Sequence, residues 1–185
     1  SAYGPPGAGL EAERLATPAL KSARLNPVYR GHALCALTGA LLAQGRLREA
    51  HDTARQALAA SVACPAYRPR AFGFLMRCLL QAGRAAEAVP LAEEGRRLLE
   101  DLGGCGRTEL RFRLAVIEVE LQCGDKSRVR DELHAALQQL RRRADAIADP
   151  LIRLSFLEKV PTHVRLQELA AEHLSDPDAD RPPLS

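Results

Sequence analysis

The sequence predicts an all-α protein built from antiparallel helical hairpins, and three observations support this fold class. Residues with high helix propensity, mainly Ala, Leu, Arg, Glu and Gln, dominate the 185-residue chain. Residues that favour strands are scarce, since aromatic residues make up only 4% of it. The chain also repeats a pattern in which an apolar helix ends at a glycine and a second, amphipathic helix follows. We therefore expect little or no β-sheet.

The composition is that of a globular protein with one domain or one short helical array. Hydrophobic residues account for 46% of the chain and charged residues for 26%, which is typical of globular domains. No segment approaches the roughly 20 apolar residues of a membrane span, so no membrane role is expected. The formal net charge is +3. Because charges of both signs are mixed along the chain, they do not indicate nucleic-acid binding.

The cysteines and the two termini favour a fragment of a cytoplasmic protein. The five cysteines are odd in number and form no Cys-x-x-Cys pair, which favours reduced thiols. Cys78 and Cys123 are expected to be small core residues. Residues 1–9 lack the features of a signal peptide and are expected to be a disordered leader or a cloning remnant. The tail, 175–185, is also expected to be disordered.

Three glycine turns mark the repeated hairpins. Gly45, Gly83 and Gly124 lie 38 and 41 residues apart, each where a helix is expected to end in a left-handed backbone conformation. In the first two repeats, a stripe of small residues follows the turn and allows the second helix to pack closely. The stripe consists of Ala50, Ala54 and Ala57 in one repeat and of Ala88, Ala92 and Gly95 in the next.

These turns resemble those of the tetratricopeptide repeat family. Gly45 and Ala50, and again Gly83 and Ala88, match the turn glycine and the small residue five positions later in that family. The resemblance implies an α-solenoid with a concave surface that is lined by the first helix of each pair and binds a protein or peptide. The repeat spacing here exceeds the family period of about 34 residues, which indicates extended connections between hairpins.

The resemblance and the turn pattern together define the expected domain organisation. The repeat domain is predicted over residues 10–174, with a helix at 10–25 that has a candidate break at Pro18. Its repeats are predicted at about 28–64, 69–102 and 108–143, and a capping helix pair at 149–174.

The predicted cap begins with a short apolar helix. Asp149 can cap this helix and Pro150 can occupy its first turn, whereas Pro161 ends it. Its apolar residues cover more than one helical face, so we expect the helix to be buried, with Phe156 and Leu157 in the interior of the cap. These apolar residues are Leu151, Ile152, Leu154, Phe156, Leu157 and Val160.

The same segment is similar to the end of the repeat regions at the C terminus of large bacterial signalling proteins. These are eukaryotic-like Ser/Thr kinases and multidomain ATPase regulators. The matching residues are Asp149, Pro150, Arg153, Ser155, Phe156, Leu157, Val160 and Pro161. The resemblance implies that the chain is the sensory or docking end of a larger regulator. It includes no catalytic residue of a kinase or an ATPase.

No catalytic or cofactor-binding pattern occurs in the sequence. It contains no glycine-rich phosphate loop, no Gly-x-Ser-x-Gly elbow and no His-Glu-x-x-His motif. His32 and Cys35 could form half of a zinc site, but no second pair completes four ligands. The run Arg141–Arg143 is expected to lie in solvent at a helix C terminus, where its positive charges interact favourably with the helix dipole. We therefore expect no enzyme activity, no cofactor and no metal site.

The candidate binding site lies on the first helices of the repeats. Arg70, Arg77 and Arg111 are its cations, and their guanidinium groups suit bidentate bonds to carboxylates. The other residues of the predicted peptide-binding set are Leu80, Leu114, Gln81 and Gln122. Alignment of the repeats also places Cys35 and Leu42 on this surface. In the alternative interpretation, the arginines form salt bridges with Glu109, Glu118 or Glu120.

The sequence therefore predicts a non-catalytic protein–protein interaction module. Its expected partner is a protein or peptide that carries an acidic segment. The alternative is a regulatory sensor domain that binds a small peptide or effector and controls an attached kinase, ATPase or transcription-regulator domain. A homodimer contact is a further alternative, whereas no nucleic-acid or membrane partner is expected.

Overall fold

The computed structural model describes residues 8–22 and 26–174, which are all-α and include no strand. The helices are α1 (Ala8–Ser22), α2 (Pro27–Ala43), α3 (Leu47–Ala60), α4 (Arg68–Gln81), α5 (Ala85–Asp101), α6 (Glu109–Cys123), α7 (Lys126–Asp145), α8 (Pro150–Glu158) and α9 (Pro161–His173). Short 3₁₀ turns lie at Ser61–Ala63, Pro65–Tyr67 and Gly106–Thr108. The chain forms two compact units, with α1 to α6 in unit 1 and α7 to α9 in unit 2.

The glycine turns of unit 1 have the predicted left-handed conformation. Gly45 has a φ of 72°, and the N–H of Arg46 donates to the carbonyl oxygen of Leu41 at 3.0 Å. This bond is the signature of the Schellman motif, which satisfies a carbonyl at the helix end. Gly83 has a φ of 70° and forms the same turn. Because only three residues join α2 to α3 and α4 to α5, the chain reverses direction at each glycine.

The helices of unit 1 pack in chain order, and their first helices also contact one another. Helix α4 packs against α2, α3, α5 and α6. The contacts of α4 with α2 and α6 join three helices into one row, which we call the α2–α4–α6 row. The small-residue stripes lie on the other helices of the hairpins. Their members Ala50, Ala54, Ala57, Ala88, Ala92 and Gly95 are all buried, as the sequence predicts.

Two phenylalanine rings form the centre of the core of unit 1. Phe72 of α4 and Phe112 of α6 are 0% and 1% exposed. Gly95 of α5 faces both rings, because a Cβ atom added there would lie 2.5 Å from Cε2 of Phe112. Glycine at this position leaves room for the ring. Apolar residues surround the two rings, namely Met76, Leu79, Ala88, Ala92, Leu99, Ala115, Val116 and Val119.

Helix α1 partly confirms the prediction for the N-terminal segment. It runs without interruption through Pro18, so the candidate break is wrong. Ala8 and Gly9 belong to this helix, and the predicted leader is therefore too long. Residues 1–7 and 23–25 lie outside the described residues, so the rest of the leader and the end of the predicted helix are not tested. Helix α1 packs against α2.

In unit 2, helices α7, α8 and α9 contact one another. The predicted cap of α8 is confirmed, since Oδ1 of Asp149 accepts a hydrogen bond from the N–H of Leu151 at 2.8 Å. Leu133 of α7 and Leu166 of α9 are fully buried. The third predicted repeat, 108–143, includes helices of both units and stays a prediction. The predicted disordered tail, 175–185, lies outside the described residues.

The prediction that α8 is buried is wrong. None of its residues is buried, and Phe156 and Leu157 are only half-buried. Three of its apolar side chains are largely exposed, namely Leu151 (77%), Ile152 (59%) and Leu154 (50%). The reason is geometric. The apolar residues of this nine-residue helix extend around its axis, whereas α7 and α9 cover only part of its circumference.

Candidate functional site

The three predicted arginines lie where α4 packs against α6. Arg70 and Arg77 are on α4, and Gly73 stands between them on the same face. A Cβ atom on Gly73 would lie 3.6 Å from Cα of Phe112 and 3.9 Å from the carbonyl oxygen of Arg111. The backbone of α6 therefore passes close to Gly73. As a result, Arg111 lies beside the α4 face that bears the other two arginines.

Arg111 has a positively charged environment. Partial burial lowers the pKa of its guanidinium, and the charges of Arg70, Arg77 and Arg107 lower this pKa further. The residue itself is exposed to solvent. No acidic side chain of the described residues forms an ion pair with it. We call Arg70, Arg77, Arg107 and Arg111 the arginine face.

Arg107 is the member of this face that the sequence pattern does not predict. It lies in the 3₁₀ turn Gly106–Thr108, directly before α6. The repeat alignment matches positions within helices, so it does not predict where a residue of a connecting turn lies. The only available signal is the spacing of four residues to Arg111, since a residue four positions earlier lies on the same side of a continuous helical turn.

Arg70 is held by aromatic side chains and not by a carboxylate. Its Nη1 donates a hydrogen bond to Nδ1 of His32 at 3.2 Å, and its guanidinium lies 5.9 Å from the centroid of the Phe74 ring. The ring of His32 also contacts that of Tyr67, with 4.1 Å between centroids. Because a guanidinium has donors only, Nδ1 must accept, so His32 is neutral with its proton on Nε2. Arg70 is thus oriented without being neutralised.

The protonation of His32 provides a test of this arrangement. Burial lowers the pKa of His32 below 6.5, and the charge of Arg70 lowers it further. A histidine whose pKa is lowered by folding stabilises the folded state above pH 6.5, and this contribution is lost as the pH falls through the folded pKa. We expect NMR titration to give a pKa below 6.5 for His32, and Arg70→Gln to raise it. Arg48→Gln, which changes an exposed arginine of α3, should leave it unaltered. Titration of His32 at or above 6.5 would contradict the bond to Arg70.

Two of the acidic residues in the alternative interpretation have other partners. Glu109 accepts a hydrogen bond from Nε of Arg113 at 3.1 Å. Glu120 forms an ion pair with Arg96 of α5. Both carboxylates are buried within unit 1, and neither bonds to Arg111. Glu109 and Glu120 therefore do not neutralise Arg111, whereas a salt bridge of Glu118 stays a prediction.

The remaining members of the predicted peptide-binding set are accessible from outside. Leu80 and Leu114 are half-buried, and Gln81 and Gln122 are exposed. In contrast, Cys35 and Leu42 are 2% and 4% exposed and belong to the core. Their predicted place on the binding surface is wrong. The side of α2 that carries them packs against residues of α3 and α4.

The cysteines divide into buried and exposed thiols. Cys78 is buried, as predicted, and burial raises the pKa of its thiol to about 12. Burial likewise raises the pKa of Cys35 to about 11. The core prediction for Cys123 is wrong, because this residue ends α6 directly before the left-handed Gly124 and is exposed. Among the described residues, no group of three or more His, Cys, Asp and Glu side chains could hold a metal ion.

Comparison of the chain with protein-family models, with curated proteins and with solved structures found no match. None of the helices in the described part of the chain has the length and apolar character that crossing a membrane requires. The fold and the site thus define an all-α protein with an arginine-rich surface on α4 and on the segment that begins α6.

Proposed function

We propose that the chain is a tetratricopeptide-like α-solenoid that acts as a non-catalytic protein–protein interaction module. Its partner protein or peptide binds along the α2–α4–α6 row. In stacked hairpin repeats, the first helices line the concave surface that holds a ligand. The contacts of α4 with both α2 and α6, and the matching turns at Gly45 and Gly83, support this assignment.

The observation that carries the proposal is the proximity of the positive charges of Arg70 and Arg111. Like charges held close together oppose folding, so a surface selected for stability alone would separate or neutralise them. Arg70 and Arg111 have no acidic partner among the described residues. An acidic segment of a partner would supply the missing charge through charge-assisted, bidentate bonds.

Neighbouring side chains suit an extended peptide. Leu80 and Leu114 offer partly accessible apolar surface, and Gln81 and Gln122 offer amide groups. An amide side chain both donates and accepts hydrogen bonds, so it can bond to the backbone of a bound peptide. The surface therefore combines apolar contact, backbone recognition and charge attraction.

Replacing two arginines of this surface tests the proposal. In the variant Arg77→Ala with Arg111→Ala, we expect the affinity for a captured native partner to fall at least tenfold, which corresponds to about 1.4 kcal/mol. The melting temperature should hardly change, because removal of clustered positive charge offsets lost contacts. Calorimetric titration measures the first quantity and circular dichroism the second.

The matched control is Arg48→Ala with Arg97→Ala, which removes two exposed arginines from α3 and α5. This control should bind the partner with unchanged affinity. If the Arg77 and Arg111 double variant kept full affinity, the binding surface would have to lie elsewhere on the molecule.

The resemblance to large bacterial signalling proteins supports a place for this module in such a regulator. Two of the matching residues have structural roles in unit 2. Asp149 caps α8, and Nη2 of Arg153 donates to the carbonyl oxygen of Ile147 at 2.7 Å. The match therefore concerns how the chain folds before and within α8. It supports a cytoplasmic docking module, and the choice of partner depends on unit 1.

A further inference from the structure

We propose that the arginine face binds the phosphoryl group of a phosphorylated serine or threonine in a partner peptide. This inference rests on the proposed function and specifies the ligand of the same surface. Several cations lie close enough on this surface to affect one another electrostatically. Four guanidinium groups come from two segments, Arg70 and Arg77 from α4 and Arg107 and Arg111 from the start of α6.

The spacing on α4 places two of these arginines on either side of the contact with α6. Arg70 and Arg77 are seven residues apart, which is about 10 Å along a helix axis. Arg70 and Arg77 therefore lie about one turn before and one turn after Gly73. Gly73 stands at the midpoint and has no side chain of its own, and the backbone of Arg111 passes 3.9 Å from the position that a Cβ would occupy. Arg111 thus lies beside α4, between the positions of Arg70 and Arg77 along that helix.

The charge on this surface matches a phosphoryl group better than a carboxylate. Arg70, Arg107 and Arg111 have no acidic partner among the described residues. One carboxylate brings one negative charge and two oxygens. A phosphorylated side chain brings about −1.5 to −2 charges at pH 7 and three strong acceptor oxygens. It can therefore bond to several guanidinium groups and neutralise most of their charge.

The contacts of Arg70 favour the same ligand. Its partners are the neutral ring of His32 and the face of the Phe74 ring. These contacts fix the direction of the guanidinium, while its full positive charge stays available to an anion. A carboxylate in place of His32 would have cancelled that charge.

Peptide phosphate is favoured over nucleic acid or lipid for two reasons. Each phosphodiester of a nucleic acid carries a single charge, and binding of single strands usually includes stacking of bases on aromatic rings. Here the nearby rings of Tyr67 and Phe74 already contact His32 and Arg70. Attraction to anionic lipid is typical of polybasic segments that adjoin a membrane helix or lie on an amphipathic helix. The arginine face instead combines half-buried Arg70 and Arg77 with exposed Arg107 and Arg111 from a second segment.

Binding of three fluorescein-labelled peptides to the full chain tests the inference. The peptides differ only at the central residue, which is phosphoserine, glutamate or serine. We expect fluorescence anisotropy to show that the phosphoserine peptide binds about tenfold or more tightly than the glutamate peptide. The serine peptide should bind weakest. Arg70→Gln and Arg111→Gln should each weaken phosphoserine binding about fivefold or more. The double control Arg48→Gln with Arg97→Gln should not.

Several outcomes would overturn the inference. One is equal affinity for the glutamate and phosphoserine peptides, and another is no binding of the phosphoserine peptide. A third is tighter, Arg111-dependent binding of a short single-stranded oligonucleotide or of phosphatidylserine vesicles. Failure of the proposed function would be seen separately, as full affinity of the captured partner for the Arg77 and Arg111 double variant.

Discussion

Replacing Phe112 with alanine is expected to destabilise unit 1 by about 3–5 kcal/mol, as for large aromatic residues in protein cores. The ring is 1% exposed and packs among residues of α4, α5 and α6. Removing it leaves a cavity that three helices would have to close together. Denaturant unfolding followed by circular dichroism measures the change in the free energy of unfolding. The exposed Val62→Ala is the control, and it should have little effect.

Gly95 provides an independent check of the same packing. A Cβ atom at Gly95 would lie 2.5 Å from the Phe112 ring, so Gly95→Ala should destabilise the wild-type protein by about 1–3 kcal/mol. In the Phe112→Ala background, the clash disappears and the substitution should cost much less. Equal costs in both backgrounds would show that the two residues are not in contact.

Breaking the ion pair between Arg96 and Glu120 is expected to have the second large effect. Glu120 is 2% exposed and pairs with Arg96, which links α5 to α6. Arg96→Met keeps much of the aliphatic length but leaves the carboxylate without this partner. Loss of one member of a buried pair typically costs about 3–5 kcal/mol, because the other charge stays buried. Denaturant unfolding at pH 7 measures this cost.

The double variant Arg96→Met with Glu120→Leu separates charge from packing. An apolar pair of similar volume needs no desolvation of charges, so the double variant should regain most of the stability lost in Arg96→Met. If the double variant were as unstable as the sum of the two single variants, the ion pair would contribute nothing beyond the packing of each side chain.

The hairpin turns and their buried stripes could be predicted because their causes are local. A glycine that must adopt a positive φ, as at Gly45 and Gly83, is visible in the sequence as a fixed position between two helical patterns. Small residues follow each glycine at helical spacing, Ala50 and Ala54 in α3 and Ala88 and Ala92 in α5. The side of the second helix that packs closely is therefore also visible in the sequence. Both features depend on neighbours within a few residues.

The errors concern features that depend on distant contacts. Alignment of the repeats places Cys35 and Leu42 on the binding surface. An exposed and a buried position can be neighbours on a helix, so a small error in the rotation of α2 exchanges them. The apolar pattern of α8 predicts burial, yet the number of helices that cover it is a property of the whole fold. Cys123 is exposed for a similar reason, because it is the last residue of α6 and no neighbouring helix of unit 1 covers it there.

The candidate site was predictable in its helical part only. Arg70, Arg77 and Arg111 occupy positions that the repeat assigns to first helices, and the structure places Arg111 beside the face of α4 that carries the other two. Arg107 joins them because the 3₁₀ turn Gly106–Thr108 leads directly into α6. The contact of Arg70 with His32 joins α4 to α2. Such a contact between hairpins depends on how they stack, which no local pattern specifies.

Photo-crosslinking can show whether the partner binds along the α2–α4–α6 row. A benzophenone amino acid would replace Leu80 or Leu114, which lie on α4 and α6, and Val62 in a 3₁₀ turn would serve as the control position. We expect irradiation with the captured native partner to give covalent adducts from Leu80 and Leu114 and none from Val62. Adducts from Val62, with none from Leu80 or Leu114, would contradict it.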